Sequence, residues 1–320
     1  ALVLTNGLLF AGFHFLLPTL PIYASDLGAT GAEIGVIGGI FGYSAIFIRL
    51  FTDTGGRAFG KRKCLYAGLI LSILATIGYA VFPSIGLIIA ARVIHGFGFG
   101  LSTTFAAAMA ADAIPAARRG EGIGYFGLGS TVAMAMAPAF GLVLLTDISP
   151  SALFLCSGVL TMLAIGTARA CHTRPEQAEL PVPAIHSSIR NRLYEAGTGA
   201  PAVLTILFGA AYGSVNTFIA MMASEAGIES AGLFFIVGTC FIFISRPFGG
   251  RLLDQKGAFA VVMPGAVLYL FALLIIIQAT SLTMLLGASV FYGLGAGLLL
   301  PALVAWMINV VRADRGSAAS

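Results

Sequence analysis

The sequence predicts an all-α membrane protein, a helical bundle made of two parallel-repeat halves. Three observations support this fold class: a highly apolar composition, a series of long apolar segments and an internal duplication. Of the 320 residues, 58% are hydrophobic and only 9% are charged, and the mean hydropathy is +0.99. Ordinary soluble domains carry roughly 25% charged residues. The composition therefore excludes a soluble protein and predicts that a lipid bilayer surrounds the chain.

Ten segments are long enough to cross that bilayer. A spanning helix needs about 20 mostly apolar residues, and charged or Pro- and Gly-rich breaks separate ten such stretches. The predicted spans are 2–23, 33–52, 63–82, 85–110, 122–146, 151–170, 199–222, 230–248, 258–279 and 282–311. The last segment is long enough to tilt or to extend beyond the bilayer.

The second half of the chain repeats the first. An offset of 197 residues brings the two halves into register without a gap. The matched pairs are Gly35 with Gly232, Arg49 with Arg246, Gly60 with Gly257, Gly68 with Gly265, Gly96 with Gly293, Gly98 with Gly295 and Gly100 with Gly297. Parallel repeats of membrane helices are typical of one large class of secondary transporters.

The repeat predicts the domain organisation. Residues 1–170 form an N-terminal half of six spans, 171–198 form a cytoplasmic linker, and 199–320 form a C-terminal half that ends after its fourth span. In the first half the loop 118–120 precedes two further spans, whereas its counterpart 314–316 is followed by only four residues. We therefore expect twelve spans in a complete chain, with the eleventh and twelfth missing from this one.

Basic residues predict the orientation. All of the 17 Lys and Arg except Arg92 lie at even-numbered connections, while the odd-numbered connections carry only acids or no charge. Because cytoplasmic loops are enriched in Lys and Arg, we expect a cytoplasmic N-terminus in a bacterial inner membrane. The net charge of +4 then reflects topology, and we expect no nucleic-acid partner.

Two equivalent connections carry a recognisable motif. Residues 49–63 have the sequence RLFTDTGGRAFGKRK, and residues 246–257 have the sequence RPFGGRLLDQKG. Both resemble the signature loop of the major facilitator superfamily, G-x-x-x-D-R-x-G-R-R. In the first copy Arg57 holds the acidic position, and an acid stands one turn earlier at Asp53.

The resemblance implies that these connections are gating loops, in which the acid caps a helix and pairs across the interface between the halves. The candidate gating residues are Arg49, Asp53, Gly60, Arg246, Gly250, Asp254 and Gly257. The alternative is that the cations of these loops only set the topology, which applies most to Lys61, Arg62 and Lys63.

Arg92 lies about eight residues into the fourth predicted span. A central Arg costs roughly 2.5 to 3.5 kcal/mol on insertion scales, so it is expected to have a function. The string Arg92-Val-Ile-His95-Gly-Phe-Gly-Phe-Gly resembles the fourth-helix motif of the same superfamily, R-x-x-x-G-x-G. The resemblance implies that this Arg takes part in proton coupling in antiporters.

Two histidines complete the candidates for proton coupling, which are Arg92, His95 and His14. His95 shares a helical face with Arg92, and His14 lies midway along the first span. The alternatives are that Arg92 snorkels or bonds neighbouring carbonyls, and that each His only packs. No Asp or Glu lies at mid-depth in a predicted span, which weakens the assignment of proton coupling.

The fifth span contains the sequence Pro138-Ala-Phe-Gly141. It resembles the P-x-x-G part of the motif that marks exporters of the drug:proton antiporter group, although Ala137 stands where Gly would precede the Pro. Pro138 and Gly141 are therefore candidate hinge residues.

Residue type and depth predict a substrate cavity between the halves. Its candidate lining residues are His14, Tyr43, Arg92, Met134, Tyr212, Asn216, Tyr292 and Trp306. We expect a monomeric secondary transporter that works by alternating access and exports a small amphipathic, drug-like solute in exchange for protons. An importer or symporter of a small organic solute is the alternative.

Other classes have less support. An embedded enzyme would need a motif such as H-E-x-x-H or G-x-S-x-G, and neither is present. The four Cys show no C-x-x-C spacing, so we expect no metal site and no cofactor. A channel or a receptor on the same scaffold is harder to exclude, but the duplication with its gating loops favours a carrier.

Overall fold

The computed structural model describes residues 1–114, 119–171 and 199–317, and it is helical throughout. Eleven helices occur in these residues. They are α1 (Leu2–Asp26), α2 (Gly31–Arg49), α3 (Thr52–Phe59), α4 (Lys61–Val81), α5 (Ile85–Ala113), α6 (Arg119–Val143), α7 (Pro150–Arg169), α8 (Gly199–Glu225), α9 (Gly232–Lys256), α10 (Ala258–Ile277) and α11 (Leu282–Ser317). A five-residue π-helix, Leu144–Ile148, extends α6.

Ten of these helices, all except α3, are long and apolar enough to span a membrane. The predicted all-α membrane fold with ten spans is confirmed. The predicted linker lies outside the described residues except for Cys171.

Contacts divide the chain into two compact units. The first comprises Ala1–Pro175 with Thr217–Met222, and the second comprises Glu176–Asn216 with Ala223–Ser320. In the first unit α1 packs against α6 and α7, and α5 packs against α2 and α4. In the second unit α11 packs against α9 and α10. The fourth span of each half thus contacts the second and third spans of the same half.

The repeat is visible in the contacts of matched glycines. A Cβ atom added at Gly98 would lie 2.7 Å from the carbonyl oxygen of Gly68, and one added at Gly295 would lie 2.9 Å from that of Gly265. The flanking glycines contact backbone atoms of the second span in the same register in both halves. In the first half Gly96 contacts Phe41 and Gly100 contacts Ala45. In the second half Gly293 contacts Gly238 and Gly297 contacts Ile242. Every pair is 197 residues apart. Small residues allow membrane helices to approach closely, and the duplication preserved this approach.

Gly60 and Gly257 confirm the repeat at the backbone level. They have φ of 84° and 79°, and each ends one helix and begins the next. Glycine adopts this left-handed conformation without the steric penalty of a side chain. The register slips locally at the first connection of each half, because the positive-φ glycines there, Gly28 and Gly227, are 199 residues apart.

The two motif connections differ in structure. In the first half α2 ends at Arg49 and a separate helix, α3, fills most of the connection, whereas in the second half α9 continues to Lys256. The helix therefore continues eight residues beyond the predicted end of that span at residue 248. Both connections contain two adjacent Gly, which are poor helix formers. In the second connection the Gly pair is followed by Arg, two Leu, Gln and Lys, which favour a continuous helix up to Lys256.

We expect Gly98→Ala to lower the stability of the first unit. The added methyl group would meet the backbone of α4 at 2.7 Å, and overpacking of this kind costs about 1 to 3 kcal/mol. Gly86→Ala is the matched control, because it lies in the same helix and a Cβ there meets nothing within 4 Å. Thermal unfolding in detergent, followed by size-exclusion chromatography after heating, measures the difference. Equal unfolding temperatures for the two variants would contradict the packing assigned to Gly98.

Candidate functional site

Arg92 lies at the centre of the first unit and is fully buried. Its Nε donates a hydrogen bond of 3.0 Å to the carbonyl oxygen of Ile37, and its guanidinium carbon lies 4.9 Å from the centre of the Phe41 ring. Both partners belong to α2. An aromatic face attracts a cation, and more strongly where water is excluded. These two contacts therefore compensate part of the cost of burying the charge.

The Gly pattern of α5 explains how Arg92 reaches α2. Gly96 follows Arg92 by one turn, and a Cβ there would lie 2.5 Å from the Phe41 carbonyl oxygen. Without side chains at this crossing the two backbones touch, which brings the guanidinium to the Ile37 carbonyl. Arg92 thus bonds a neighbouring carbonyl, as the alternative expectation stated. Its Nη1 and Nη2 have no hydrogen-bond partner among the described residues.

His95 lies in the same aromatic environment. Its Nδ1 is 3.3 Å from the hydroxyl oxygen of Tyr79, and its ring meets the Phe41 ring edge-on at 5.5 Å between centroids. Phe13 lies between His95 and His14. The centre of its ring is 6.1 Å from that of His95 and 4.9 Å from that of His14. The three predicted coupling residues are therefore arranged around one aromatic cluster inside the first unit.

His14 is held by its own helix. Its Nδ1 lies 2.9 Å from the carbonyl oxygen of Phe10, and its ring stacks on the Phe10 ring. This bond fixes the protonated nitrogen as Nδ1, because a carbonyl oxygen only accepts. The structure places His14 near Arg92 and His95 without a direct hydrogen bond to either of them in the described part of the chain.

A neutral polar cluster occupies the corresponding place in the second unit. Asn216 donates through Nδ2 to the hydroxyl of Tyr292 at 2.6 Å and to the carbonyl oxygen of Tyr212 at 2.7 Å. The rings of Tyr212 and Tyr292 are parallel, 5.6 Å apart. Three of the four cavity residues predicted in this half therefore come together. Tyr292 is the repeat partner of His95, and Ser289 is that of Arg92, so this cluster carries no charge.

The sequence reasoning missed Tyr269 on α10. Its ring lies 5.5 Å from that of Tyr292, and its hydroxyl oxygen is buried without a hydrogen-bond partner among the described residues. Its repeat partner is Ser72, so the repeat gives no indication of an aromatic residue here. The available signal was a third Tyr at mid-span depth in the same half.

The other predicted cavity residues are not members of these two clusters. Tyr43 on α2 is 75% exposed, and Met134 on α6 and Trp306 on α11 are half-buried. Their place in a substrate cavity stays a prediction.

The first motif connection is attached to its own unit at several points. Lys61 Nζ lies 2.8 Å from Asp112 Oδ2, Arg62 donates to the carbonyl oxygen of Arg169, and Arg49 donates to the hydroxyl of Thr103. These contacts join α2, α4, α5 and α7 at one end of the bundle. Three cations of this connection, Arg49, Lys61 and Arg62, thus have specific partners in addition to any effect on topology.

The two candidate gating acids, Asp53 and Asp254, lie on α3 and α9. Asp53 pairs with Arg57 on the next turn of α3 at 3.2 Å, and both side chains are more than half exposed. Exposed pairs of this kind contribute about 0 to 1 kcal/mol. The side chain of Asp254 lies outside the described residues, although its backbone belongs to α9. Gly250 also lies within α9.

The predicted hinge lies at the contact between α6 and α1. Pro138 is buried inside α6, and a Cβ at Gly141 would lie 2.6 Å from the carbonyl oxygen of Phe15. The π-helix follows directly, from Leu144. Wide helical turns and Pro both interrupt the regular hydrogen-bond ladder, so the irregular backbone is concentrated at this end of the span.

The comparisons with known proteins agree with this architecture. Residues 2–320 match the family model described as Major Facilitator Superfamily. The chain belongs to the Major Facilitator Superfamily. It is thus a multi-pass integral membrane protein of a superfamily of membrane transporters, as the motif connections and the fourth-helix motif indicated.

Several members of the superfamily are similar to this chain. The Quinolone resistance protein NorA of Staphylococcus aureus is 28% identical over 157 residues, which cover 49% of this chain and 40% of NorA. The match therefore spans less than half of the length of NorA. The Staphylopine export protein of Staphylococcus aureus is 24% identical over 286 residues, which cover 86% of this chain and 70% of that protein.

The fold is also that of a solved superfamily member. The crystal structure of the nucleoside transporter NupG superposes with a TM-score of 0.74 at 14% identity, covering 97% of this chain and 85% of NupG. At this identity the likeness concerns the fold alone.

We expect Arg92→Met to leave the stability of the protein unchanged or to raise it by about 1 to 4 kcal/mol. A buried charge with two unpaired nitrogens is costly, and an apolar side chain of similar length removes that cost while filling the space. Arg92→Ala is the control for packing and should lower stability by about 2 to 5 kcal/mol, because it leaves a cavity. Thermal unfolding in detergent measures both. A large loss of stability in Arg92→Met would mean that the charge itself holds α2 against α5.

Proposed function

We propose that this protein is a secondary active transporter that works by alternating access and exports a small amphipathic solute in exchange for protons. The duplicated arrangement of spans supports transport, since two equivalent bundles are the basis of alternating access in transporters with parallel repeats. The names of the two curated relatives, a resistance protein and an export protein, favour export. The partial P-x-x-G match at Pro138 favours the same direction.

The buried charge of Arg92 beside His95 is the observation that supports proton coupling. A functional role is the default hypothesis for an ionisable residue inside a membrane span, and here the guanidinium keeps two nitrogens that the described residues leave unpaired. The repeat partner Ser289 is neutral, so the charge exists in one half only. We infer that Arg92, His95 and His14 form the proton-coupling group and that the guanidinium of Arg92 binds an anionic group transiently during the cycle.

Substrate binding is assigned to the predicted cavity residues. The stacked pair Tyr212 and Tyr292, with the amide of Asn216, offers flat apolar surface together with hydrogen-bonding groups. This combination suits planar amphipathic molecules. Met134 and Trp306 would extend the adaptable apolar wall, and Tyr43 would contribute from α2.

The gating and hinge residues keep the roles that the superfamily resemblance implies. Arg49, Asp53 and Gly60 in the first connection, and Arg246, Gly250, Asp254 and Gly257 in the second, are proposed to exchange partners between the two gating states. Pro138 and Gly141 are proposed to bend the fifth span. The excess of Lys and Arg at even-numbered connections supports a cytoplasmic N-terminus in the inner membrane.

An importer on the same scaffold is the second candidate. Superfamily structures similar to this fold include NupG, a nucleoside transporter, and a D-xylose-proton symporter. Direction of transport and coupling are separate questions, and the following experiment distinguishes them.

We expect the protein, reconstituted in liposomes, to accumulate a fluorescent quinolone when the lumen is more acidic than the medium, because internal protons then leave in exchange for external quinolone. Uptake should saturate and should accelerate when unlabelled quinolone is present on the opposite side, because a carrier returns faster when loaded. Arg92→Met should reduce gradient-driven uptake to the level of empty liposomes while the protein still folds. Arg169→Gln, which removes an exposed cation at the end of α7, is the matched control and should transport normally.

Three results would count against this proposal. Undiminished transport by Arg92→Met would remove the role of Arg92 in coupling. Uptake driven by the opposite gradient would favour the importer. Flux that does not saturate and shows no trans-acceleration would favour a channel.

A further inference from the structure

The two buried histidines of the first unit use the same ring nitrogen in different ways. Nδ1 of His14 lies 2.9 Å from the carbonyl oxygen of Phe10, and Nδ1 of His95 lies 3.3 Å from the hydroxyl oxygen of Tyr79. His14 is 6% exposed, His95 is 3% exposed and Tyr79 is fully buried. A neutral imidazole has one nitrogen that donates and one that accepts, and the hydrogen-bond partner of one nitrogen decides which is which.

His14 keeps a free lone pair. Its Nδ1 donates to the Phe10 carbonyl oxygen, which only accepts, so the lone pair of this neutral imidazole lies on Nε2. Within the described residues the bond to Phe10 is the only hydrogen bond of the His14 side chain. A proton can therefore be added to Nε2 without breaking that bond.

The hydroxyl hydrogen of Tyr79 determines the state of His95. Among the described residues, Nδ1 of His95 is the only acceptor that this hydroxyl bonds, and the neighbouring Arg92 offers donors alone. If Nδ1 donated instead, the Tyr79 hydrogen would be buried without an acceptor, and Nε2 of His95 would be a second unpaired atom. Leaving buried polar groups unpaired is costly. Tyr79 therefore donates, and His95 carries its hydrogen on Nε2.

A proton added to His95 would have to bind to Nδ1. The lone pair of that atom already accepts the hydrogen of Tyr79, so the hydroxyl would have to rotate its hydrogen away, and the described residues offer it no other acceptor. Protonation of His95 thus breaks a buried hydrogen bond, whereas protonation of His14 breaks none.

We propose that the coupled proton binds to Nε2 of His14, and that Tyr79 is a positioning residue that keeps His95 as the neutral Nε2–H tautomer. The step moves one proton from water to Nε2 of His14 and gives an imidazolium whose Nδ1–H still bonds Phe10. The role of this proton in coupling rests on the proposed transport function, whereas the two tautomers follow from the fold alone.

The distribution of charge favours the same assignment. Apart from Arg92, the charged residues of α1, α2, α4, α5, α6 and α7 lie in a terminal turn of their helices. Arg92 and Tyr79 are therefore the charged and titratable groups that face the two histidines in the described part of the chain. Arg92 lies one turn before His95 on α5, while the Phe13 ring lies between His95 and His14. A nearby cation opposes protonation, so Arg92 acts more strongly on His95 than on His14.

The second unit lacks the side chains that this arrangement needs. The offset of 197 residues matches His14 with Ala211, and it matches Tyr79 with Ile276. Neither hydrogen bond can form at the equivalent positions, because Ala and Ile have no polar side-chain atoms. The proposed proton site therefore belongs to the first unit, as does the buried charge of Arg92.

Nitrogen NMR measures the two tautomers directly. The full chain, labelled with ¹⁵N at the histidine ring nitrogens and held in phosphatidylcholine bilayers, gives well separated signals for ring nitrogens with and without hydrogen. The chain has four histidines. His14→Asn and His95→Gln each remove one set of signals and so assign it.

We expect hydrogen on Nδ1 of His14 and on Nε2 of His95 at neutral pH. Tyr79→Phe keeps the ring that packs on Phe154 but removes the hydroxyl, so His95 should change from one tautomer to a mixture of both while His14 stays unchanged. Tyr23→Phe is the matched control and should change neither histidine. Tyr23 packs on the same Phe154 ring, at 5.2 Å, and bonds neither histidine among the described residues.

Acidification tests the assignment of the proton. We expect Nε2 of His14 to gain hydrogen while Nδ1 of His95 is still without it. In Tyr79→Phe this difference should become smaller, because His95 no longer has a hydrogen bond to lose.

Two kinds of result would overturn the proposal. Hydrogen on Nδ1 of His95 at neutral pH, or an unchanged His95 tautomer in Tyr79→Phe, would remove the positioning role of Tyr79. Protonation of His95 before His14 would place the proton on the wrong residue. If Tyr79→Phe does not fold, the tautomers and the order of protonation in the unchanged protein decide. The measurement uses neither a substrate nor a gradient, so it stands or fails separately from the transport assay.

Discussion

The close approach of each fourth span to the second and third spans is the contact on which the rest of the structure depends. Gly96 and Gly98 in α5, and Gly293 and Gly295 in α11, allow the backbones to meet where any side chain would collide. In lipid the hydrophobic effect does not drive helices together, so packing contacts of this kind carry much of their association. The same approach determines which side chains reach across the crossing, and every candidate cluster lies beside it.

One scaffold therefore holds two different chemistries. In the first unit the crossing holds a guanidinium against a backbone carbonyl and an aromatic ring, with a histidine beside it. In the second unit the equivalent positions hold a serine and a tyrosine, and an amide bridges two tyrosines. Duplication kept the glycines, whose replacement would separate the helices, and released the neighbouring positions to diverge. The two halves therefore differ in charge at equivalent positions of the same crossing.

The sequence predicted the elements that depend on simple physical rules. Ten spans, their approximate limits and the glycine register all follow from hydropathy and from the repeat. The helix α3 and the extension of α9 to Lys256 were not predicted, because a hydropathy pattern reports apolar segments. It does not detect a short polar helix or the left-handed turn at Gly257 that ends α9. At the candidate site, the charge of Arg92 was evident from its rarity. Its partner Ile37 was not, because a backbone carbonyl 55 residues away has no signature in sequence. Tyr269 was missed for a related reason, since its repeat partner Ser72 is small and polar.

The burial of Arg92 also has an electrical consequence. A unit charge that crosses the whole membrane against a potential of 100 mV involves about 2.3 kcal/mol of work. Arg92 is fixed to α5 and shielded from solvent, so any tilt of that helix carries the charge through part of the field. The equilibrium between conformations of the first unit therefore depends on the membrane voltage as well as on bound ligands, even where the net charge moved by the solutes is zero.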